Sequence, residues 1–261
     1  MKVSVLILQQ QWSFSRVIID SMQNILVTSA GKRVVLVELF KRALKACDQA
    51  AKVYTTDLNP ELAPAGIASD KCFRVPRVLS SDYISILLNI CVRNNIGMVI
   101  PTSDTELLVL SQNKQKFYDK GIALIISDFS FIQLCRDKRN TAIFFHEIGI
   151  RIPAPIDKLY PVFPLFAKPY DGSLSKDLYV IRNSEELTPE ILNHPKLIFM
   201  EYIDKAEYKE FTIDMYYSKD HYVKSIVPRE RIEIRAGEIN KGYTRKNFLV
   251  KYLRERMNYL P

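Results

Sequence analysis

Lysines, hydroxyls and a glycine crowd one short stretch, Leu165-Phe166-Ala167-Lys168-Pro169-Tyr170-Asp171-Gly172-Ser173-Leu174-Ser175-Lys176-Asp177. An apolar run delivers Lys168, a polar loop follows, and a second apolar run resumes over Leu178 to Ile181. That order predicts strand, loop, strand. Backbone N–H groups, two hydroxyls and flanking lysines stabilise negative charge at close range, so such a loop can fold over a polyphosphate. The same residues also describe an exposed hairpin whose lysines are simply solvated.

A second constellation lies in Pro228-Arg229-Glu230-Arg231-Ile232-Glu233-Ile234-Arg235. At the period of a strand, Arg229, Arg231, Glu233 and Arg235 share one face while Ile232 and Ile234 share the other. Guanidinium forks on one face suit a polyphosphate or a carboxylate, which they bind bidentately. A solvated outer sheet face is the alternative. Upstream, Lys196 to Ile203 is an apolar strand that carries the acid Glu201, and Glu207 to Tyr216 reads as a further strand containing Glu210. Lys138, taken alone, is a helical surface lysine.

These residues need elements to hold them. With 261 residues, 48% of them hydrophobic and 25% charged, the chain can build two or three packed subdomains. The net charge of +8 is compatible with nucleic acid, anionic lipid or phosphorylated ligands, yet the cations are interleaved with 29 acids, as on a solvated surface. A basic nucleic-acid-binding protein is therefore supported by charge alone, and no sequence-specific nucleic-acid partner is expected. Cys47, Cys72, Cys91 and Cys135 show no CxxC spacing and His146, His194 and His221 lie far apart, so neither a zinc site nor a disulfide framework is signalled. Reduced cysteines and a cytoplasmic location are expected. No stretch approaches the roughly 20 apolar residues of a membrane span.

Residues 1–21 carry no clear period, whereas Met22 directly precedes a buried-strand pattern, so the first 21 read as an extension and Met22 as a natural start. From there strands and helices alternate. Strands are expected over Ile25 to Thr28, Lys52 to Thr56, Cys72 to Val75, Gly97 to Ile100 and Ile122 to Ile126. Helices are expected around Leu36, Leu39, Phe40, Ala43, Leu44 and Cys47, then over Asp82 to Arg93 and Thr105 to Tyr118. This is the pattern of an α/β fold with a parallel sheet, whose crevice lies beyond the carboxyl ends of the strands. Asp57, Asp104 and Glu106 fall there. A dinucleotide fingerprint fails at the first turn because only Gly31 is present, and a P-loop fails because Leu26 replaces its first glycine and Arg33 follows Lys32. A boundary near Ile126 separates residues 22–126 from 127–261.

Taken in order, Asp137-Lys138, Ala167-Lys168-Pro169 with its Gly/Ser loop, Met200-Glu201-Tyr202-Ile203, Glu210-Phe211-Thr212-Ile213-Asp214, and Arg229-x-Arg231 with Arg235-Ala236-Gly237-Glu238 and Lys241 resemble the ATP-grasp superfamily. Within it they resemble the carbamoyl-phosphate-synthase-like carboxylate-amine ligases. The resemblance implies a Rossmann-like pre-ATP-grasp domain followed by an α+β ATP-grasp domain. It implies that Lys138 and Lys168 contact ATP phosphates, under a lid formed by residues 170–177 with Gly172, Ser173 and Ser175. Met200, Tyr202 and Ile203 would line the adenine slot with Glu201 nearby. Glu210, with Glu207 as its rival, would hold the ribose. Arg229, Arg231, Arg235 and Lys241 would face the γ-phosphate and the acyl-phosphate oxygens. In such enzymes a carboxylate attacks the γ-phosphate and an amine opens the resulting acyl phosphate.

Two departures stand out. Leu174 and Asp177 occupy loop positions where the family carries further glycines. Family members also continue through two strands that bear Mg²⁺ ligands, often as Glu-x-Asn, whereas this sequence stops at Pro261 with Glu233 and Glu238 as the conceivable substitutes. The expectation is a truncated or split ligase, completed by a second polypeptide or a second copy, or else a non-catalytic nucleotide-binding remnant. The helical stripe Leu249, Tyr252, Leu253, Arg256, Met257 and Leu260 is expected to lack a sheet to cover, leaving an apolar patch exposed.

Overall fold

The computed structural model describes residues 5–8, 24–172, 176–218, 220–235 and 238–260. The chain divides into two compact units, one of Leu8–Ile132 and one of Gln133–Pro261 with Met1–Ile7.

After a short strand β1 (Val5–Leu8), the unit containing the parallel sheet runs β2 (Asn24–Thr28), α1 (Val34–Cys47), β3 (Val53–Asp57), α2 (Pro64–Ala68), β4 (Lys71–Arg74), α3 (Tyr83–Arg93), β5 (Ile96–Pro101), α4 (Asp104–Gln112), α5 (Lys114–Tyr118) and β6 (Ala123–Leu124). Its five strands are ordered β4-β3-β2-β5-β6, and every pair is parallel. Helices cover both faces of such a sheet, so its central strands read as unbroken apolar runs. Accordingly Leu26, Tyr54 and Val99 join one core with α3 and α4, while Ile25, Val27 and Val53 join another with α1 and α2. Strand order reverses between β2 and β5, which makes the carboxyl end of that pair the topological switch point.

Two readings of helices need correction. The buried stripe of α1 is Val37 and Leu44, whereas Leu39 is 54% exposed and Cys47 faces outward. The seam also admits Lys41, because its ammonium reaches the Ala68 carbonyl at 3.0 Å and Asp70 at 3.2 Å. The helix expected over Thr105 to Tyr118 breaks at Asn113, whose amide nitrogen donates to the Val109 carbonyl between α4 and α5.

The other unit continues from α6 (Phe129–Arg136), inside which the division falls, a little past the expected boundary at Ile126. Next come α7 (Lys138–Glu147), β7 (Leu165–Pro169), β8 (Tyr179–Ile181), α8 (Pro189–Asn193), β9 (Leu197–Glu201), β10 (Phe211–Tyr217), β11 (Val223–Arg235), β12 (Glu238–Thr244) and α9 (Phe248–Arg256). They form an antiparallel sheet β8-β7-β9 and a second sheet ordered β1-β10-β11-β12.

The stripe expected to be left exposed at the end of the chain is covered at its four aliphatic positions. Leu249, Leu253, Met257 and Leu260 are all buried, with α9 packed on β11. The turn after α9 is hydrogen-bonded to the sheet. The Tyr217 hydroxyl donates to the Met257 carbonyl at 2.7 Å, Val223 N–H donates to the Asn258 carbonyl at 2.8 Å, and Leu260 N–H donates to the His221 carbonyl at 3.1 Å. The helix therefore has its own sheet to cover, since β11 extends well beyond the arginine segment.

Candidate functional site

In β7 the side chains alternate, with Leu165, Ala167 and Pro169 buried and Phe166 and Lys168 on the opposite, half-buried face. Period two thus places Lys168 on the face away from its own core. Lys168 pairs with Ile198 of β9, and its ammonium lies 5.9 Å from the centre of the Phe166 ring.

The loop after β7 is held from α7. Asp137 caps that helix by accepting from Arg139 N–H at 2.8 Å, which orients the first turn. Lys138 then meets the loop twice: its N–H donates to the Tyr170 carbonyl at 2.9 Å and its Nζ donates to the Gly172 carbonyl at 2.6 Å. Arg139 stacks over the Tyr170 ring at 3.8 Å, and Lys196 Nζ lies 2.6 Å from Asp171 Oδ2. Lys196 holds the Asp171 carboxyl below its ordinary range, and Arg139 does the same to Asp137. The structure therefore brings Lys138 and Gly172 together, with Lys168 on the strand that leads into the loop. Ser173 and Ser175 lie outside the described residues.

Of the residues expected at the adenine slot, Met200 is buried, Tyr202 and Ile203 are half-buried and Glu201 is exposed. Met200 and Glu201 end β9, Tyr202 and Ile203 follow it directly, and Glu201 N–H donates to the Ala154 carbonyl at 2.9 Å.

The arginine strand departs from the simple alternation. The pairing of β11 with β12 shifts register between Arg231 and Glu233 and again between Glu233 and Ile234, so the period-two rule no longer assigns faces there. Ile232 is 61% exposed, not the core residue the alternation requires. Each of the four cations expected at the γ-phosphate has a carboxylate partner. Arg231 Nε lies 3.1 Å from Glu210 Oε1 and its NH1 donates to the Thr212 hydroxyl at 3.0 Å. Arg229 NH2 lies 2.6 Å from Asp214 Oδ2. Arg235, Lys241 and Asn240 all converge on Glu233, at 2.8, 2.9 and 2.8 Å. Lys205 also reaches Glu210, at 3.2 Å. Glu210 is thus fixed within the arginine group, whereas its rival Glu207 is exposed.

Sequence reading overlooked that Glu238-Ile239-Asn240 itself has the Glu-x-Asn spacing. It falls on β12, where the Asn240 amide nitrogen is spent on Glu233. The oxygens of Glu233 are taken by Arg235, Asn240 and Lys241, an arrangement that does not fit Mg²⁺, which needs such oxygens as ligands. Among the described residues no three His, Cys, Asp or Glu side chains are grouped as metal ligands.

In the parallel-sheet unit, Glu106 is fully buried at the start of α4. It accepts from the Thr28 hydroxyl at 2.8 Å, the Tyr83 hydroxyl at 2.8 Å and the Ser29 hydroxyl. Burial raises its pKa, and the three hydroxyls and Arg33 act against that rise. Ser29 has φ +47°, a conformation that side chains rarely adopt; the Thr102 hydroxyl donates to the Thr28 and Ser29 carbonyls at 2.8 and 2.9 Å. Of the three acids expected at the sheet's carboxyl edge, Glu106 is an internal cross-link between β2, α3 and α4. Asp57 and Asp104 stay in contact with water, and Asp57 accepts from Asn59 N–H at 2.9 Å.

Residues 25–125 match a family model described as the PylC-like N-terminal domain. No curated relative matches the chain. The chain is similar to the L-amino acid ligase of Bacillus licheniformis, with a TM-score of 0.64 and 16% identity over 90% of this chain and 59% of that one. It is also similar to the N5-carboxyaminoimidazole synthetase of Staphylococcus aureus complexed with ADP, with a TM-score of 0.60 and 12% identity over 89% of this chain and 61% of that one. A biotin carboxylase–β,γ-ATP complex from Campylobacter jejuni gives a TM-score of 0.60 and 11% identity over 84% and 53%. The chain thus spans between half and two thirds of the length of these structures. The shared feature is the fold: mixed α/β, with a five-stranded parallel sheet and separate antiparallel sheets, as the ATP-grasp resemblance implied.

Proposed function

We propose that this chain is an ATP-binding protein of the ATP-grasp type, and that it serves a ligase which joins a carboxylate to an amine through an acyl phosphate. The observation that carries the reading is the Lys138–Gly172 contact, which places a lysine at the base of the hairpin loop that Lys168 enters. A loop that Lys168 enters and Lys138 holds brings cations to the same hairpin, which suits a polyphosphate because such donors stabilise its negative charge. Lys138 and Lys168 hold the phosphates in this reading. Residues 170–177 close over them and exclude water, while Met200, Tyr202 and Ile203 receive the adenine. The solved relatives named above include an ADP complex and an ATP-analogue complex, which supports nucleotide as the ligand here. The acid and amine are small molecules, and the crevice edge at Asp57 and Asp104 is where they are expected.

One observation favours a second reading, a nucleotide-binding protein without turnover. Arg229, Arg231, Arg235 and Lys241 are each paired with Asp214, Glu210 or Glu233, the last shared by Arg235 and Lys241, so each already has a carboxylate partner that a transferring phosphoryl group would have to displace. Ligation in the first reading needs those pairs to exchange, and it needs Mg²⁺ ligands that Glu233 does not supply. Supply by a second polypeptide or a second copy belongs to the same proposal.

Thermal melting with and without ATP-Mg tests the shared part. Ligand at about 100 times Kd adds roughly 2.7 kcal/mol, and a melt unmoved by saturating ATP rejects both readings. ADP release on addition of carboxylate and amine mixtures then separates them, because only the ligase produces it.

A further inference from the structure

The net charge of +8 is unevenly placed. Residues 238–261 hold six Lys or Arg against two acids, half of the whole excess in 24 residues. Two of the six have close partners elsewhere in the same unit: Lys241 on Glu233 at the surface, and Arg256 on the Gly149 and Tyr252 carbonyls. Arg245, Lys246, Lys251 and Arg254 are exposed. An open, shallow groove of about 430 Å³ lies against α9, with all of its lining residues, Lys246, Asn247, Val250, Lys251, Arg254 and the acid Glu255, on this one helix and the segment just before it. It lies on the outer side of the helix, since Leu249 and Leu253 take the inner side into the core.

Three features of this groove belong together. Its cations begin at Lys246, just before the helix, and end at Arg254, with the helical part from Phe248 to Arg254 spanning about 9 Å at 1.5 Å per residue. The first turn of α9 holds no acid, so at that end the positive pole of the helix dipole adds to the field of Arg245 and Lys246. Lys251 has only a distant partner, Glu255 at 4.0 Å, so its ammonium is held loosely. Beside these cations the ring of Phe248 is 74% exposed, and Arg245 lies 5.4 Å from the centre of the Tyr243 ring. An acidic peptide would use the charges and leave an exposed aromatic ring unused. A chain of phosphates carrying unpaired bases uses both, because every base has a π-face to stack. A duplex hides those faces.

We propose that the α9 groove is a sequence-independent docking site for single-stranded nucleic acid, with phosphates on Arg245, Lys246, Lys251 and Arg254 and a base stacked on Phe248. The site is independent of the nucleotide reading of the hairpin loop and stands or falls separately from it.

The test is fluorescence anisotropy of labelled oligo-dT and oligo-U with the full chain across a salt series. Three or four phosphate contacts give log K against log salt a slope of about −2 to −3, at roughly 0.7 per contact on single strands. The single variant K246E lowers that slope by about 0.7 or more, and K246E/K251E/R254E abolishes binding. F248A weakens binding at least about fivefold and leaves the slope unchanged. All these positions are exposed, and circular dichroism verifies that each variant is folded; K246E alone suffices if the triple variant is not. The proposal is overturned if the wild type does not bind at low salt, or if binding survives K246E with an unchanged slope. It is equally overturned if duplex of the same length binds as tightly, or if poly-glutamate of equal charge competes as well as the oligonucleotide.

Discussion

Arg231 Nε lies 3.1 Å from Glu210 Oε1, with the two side chains only 6% and 15% exposed. A ribose-binding acid and a phosphate-binding arginine, as the resemblance assigned them, are each other's partner in this structure. The pair bridges the start of β10 and the middle of β11, and the Thr212 hydroxyl completes it. Breaking a buried pair leaves one charge uncompensated, which costs far more than the pair's net contribution. Lys205 still reaches Glu210 at 3.2 Å, so Arg231→Ala is expected to lose stability in urea unfolding by less than the roughly 3–5 kcal/mol of a wholly uncompensated buried charge. The double variant Arg231→Met/Glu210→Leu should recover most of that loss, and a single-variant loss below about 1 kcal/mol would contradict the pairing.

Lys138 should behave differently. Its contact with Gly172 is one hydrogen bond on a half-buried side chain, worth about 1 kcal/mol. Lys138→Met is expected to shift the unliganded melting temperature little and to remove most of the stabilisation by ATP-Mg. An unchanged ATP response would move the phosphate contact elsewhere.

Glu106 gives a pH dependence whose sign follows from burial. Its folded pKa is raised, so the folded state binds the proton more tightly than the unfolded one. That contribution is fully present below the unfolded pKa of about 4.3 and is lost as pH rises through the folded value. The stability of the wild type relative to Glu106→Gln is thus expected to fall between pH 4 and neutrality. Parallel denaturation curves of the two proteins over that range would remove Glu106 as the cause.

Leu253 is fully buried beneath α9. Leu253→Ala is expected to cost about 2–5 kcal/mol by chemical denaturation, whereas the same change at exposed Phe248 should be close to neutral. Equal effects at the two sites would mean that α9 does not cover β11.

Much of the fold was legible because local rules decided it. The strands expected at Ile25 to Thr28 and Lys52 to Thr56 formed at Asn24–Thr28 and Val53–Asp57, whereas the helix start at Asp137-Lys138 was not read, because the residues on both sides of it suit a helix. Short helices at Pro64–Ala68 and Pro189–Asn193 were missed, since five residues give no period to read. Strand β12 was missed as well, because its polar residues hide the pairing with β11.

The candidate site divides along the same line. The sequence by itself determined which residues carry charge and that Lys168 leads into a glycine-containing loop, because period and residue type are local properties. Only the tertiary structure decided who neutralises whom: that Glu210 meets Arg231, that Glu233 gathers Arg235, Asn240 and Lys241, and that Lys138 reaches the Gly172 carbonyl. Those partners are set by register shifts in β11 and by packing between elements far apart in the chain, and electrostatic energy depends on such distances and on burial, which no spacing of letters encodes.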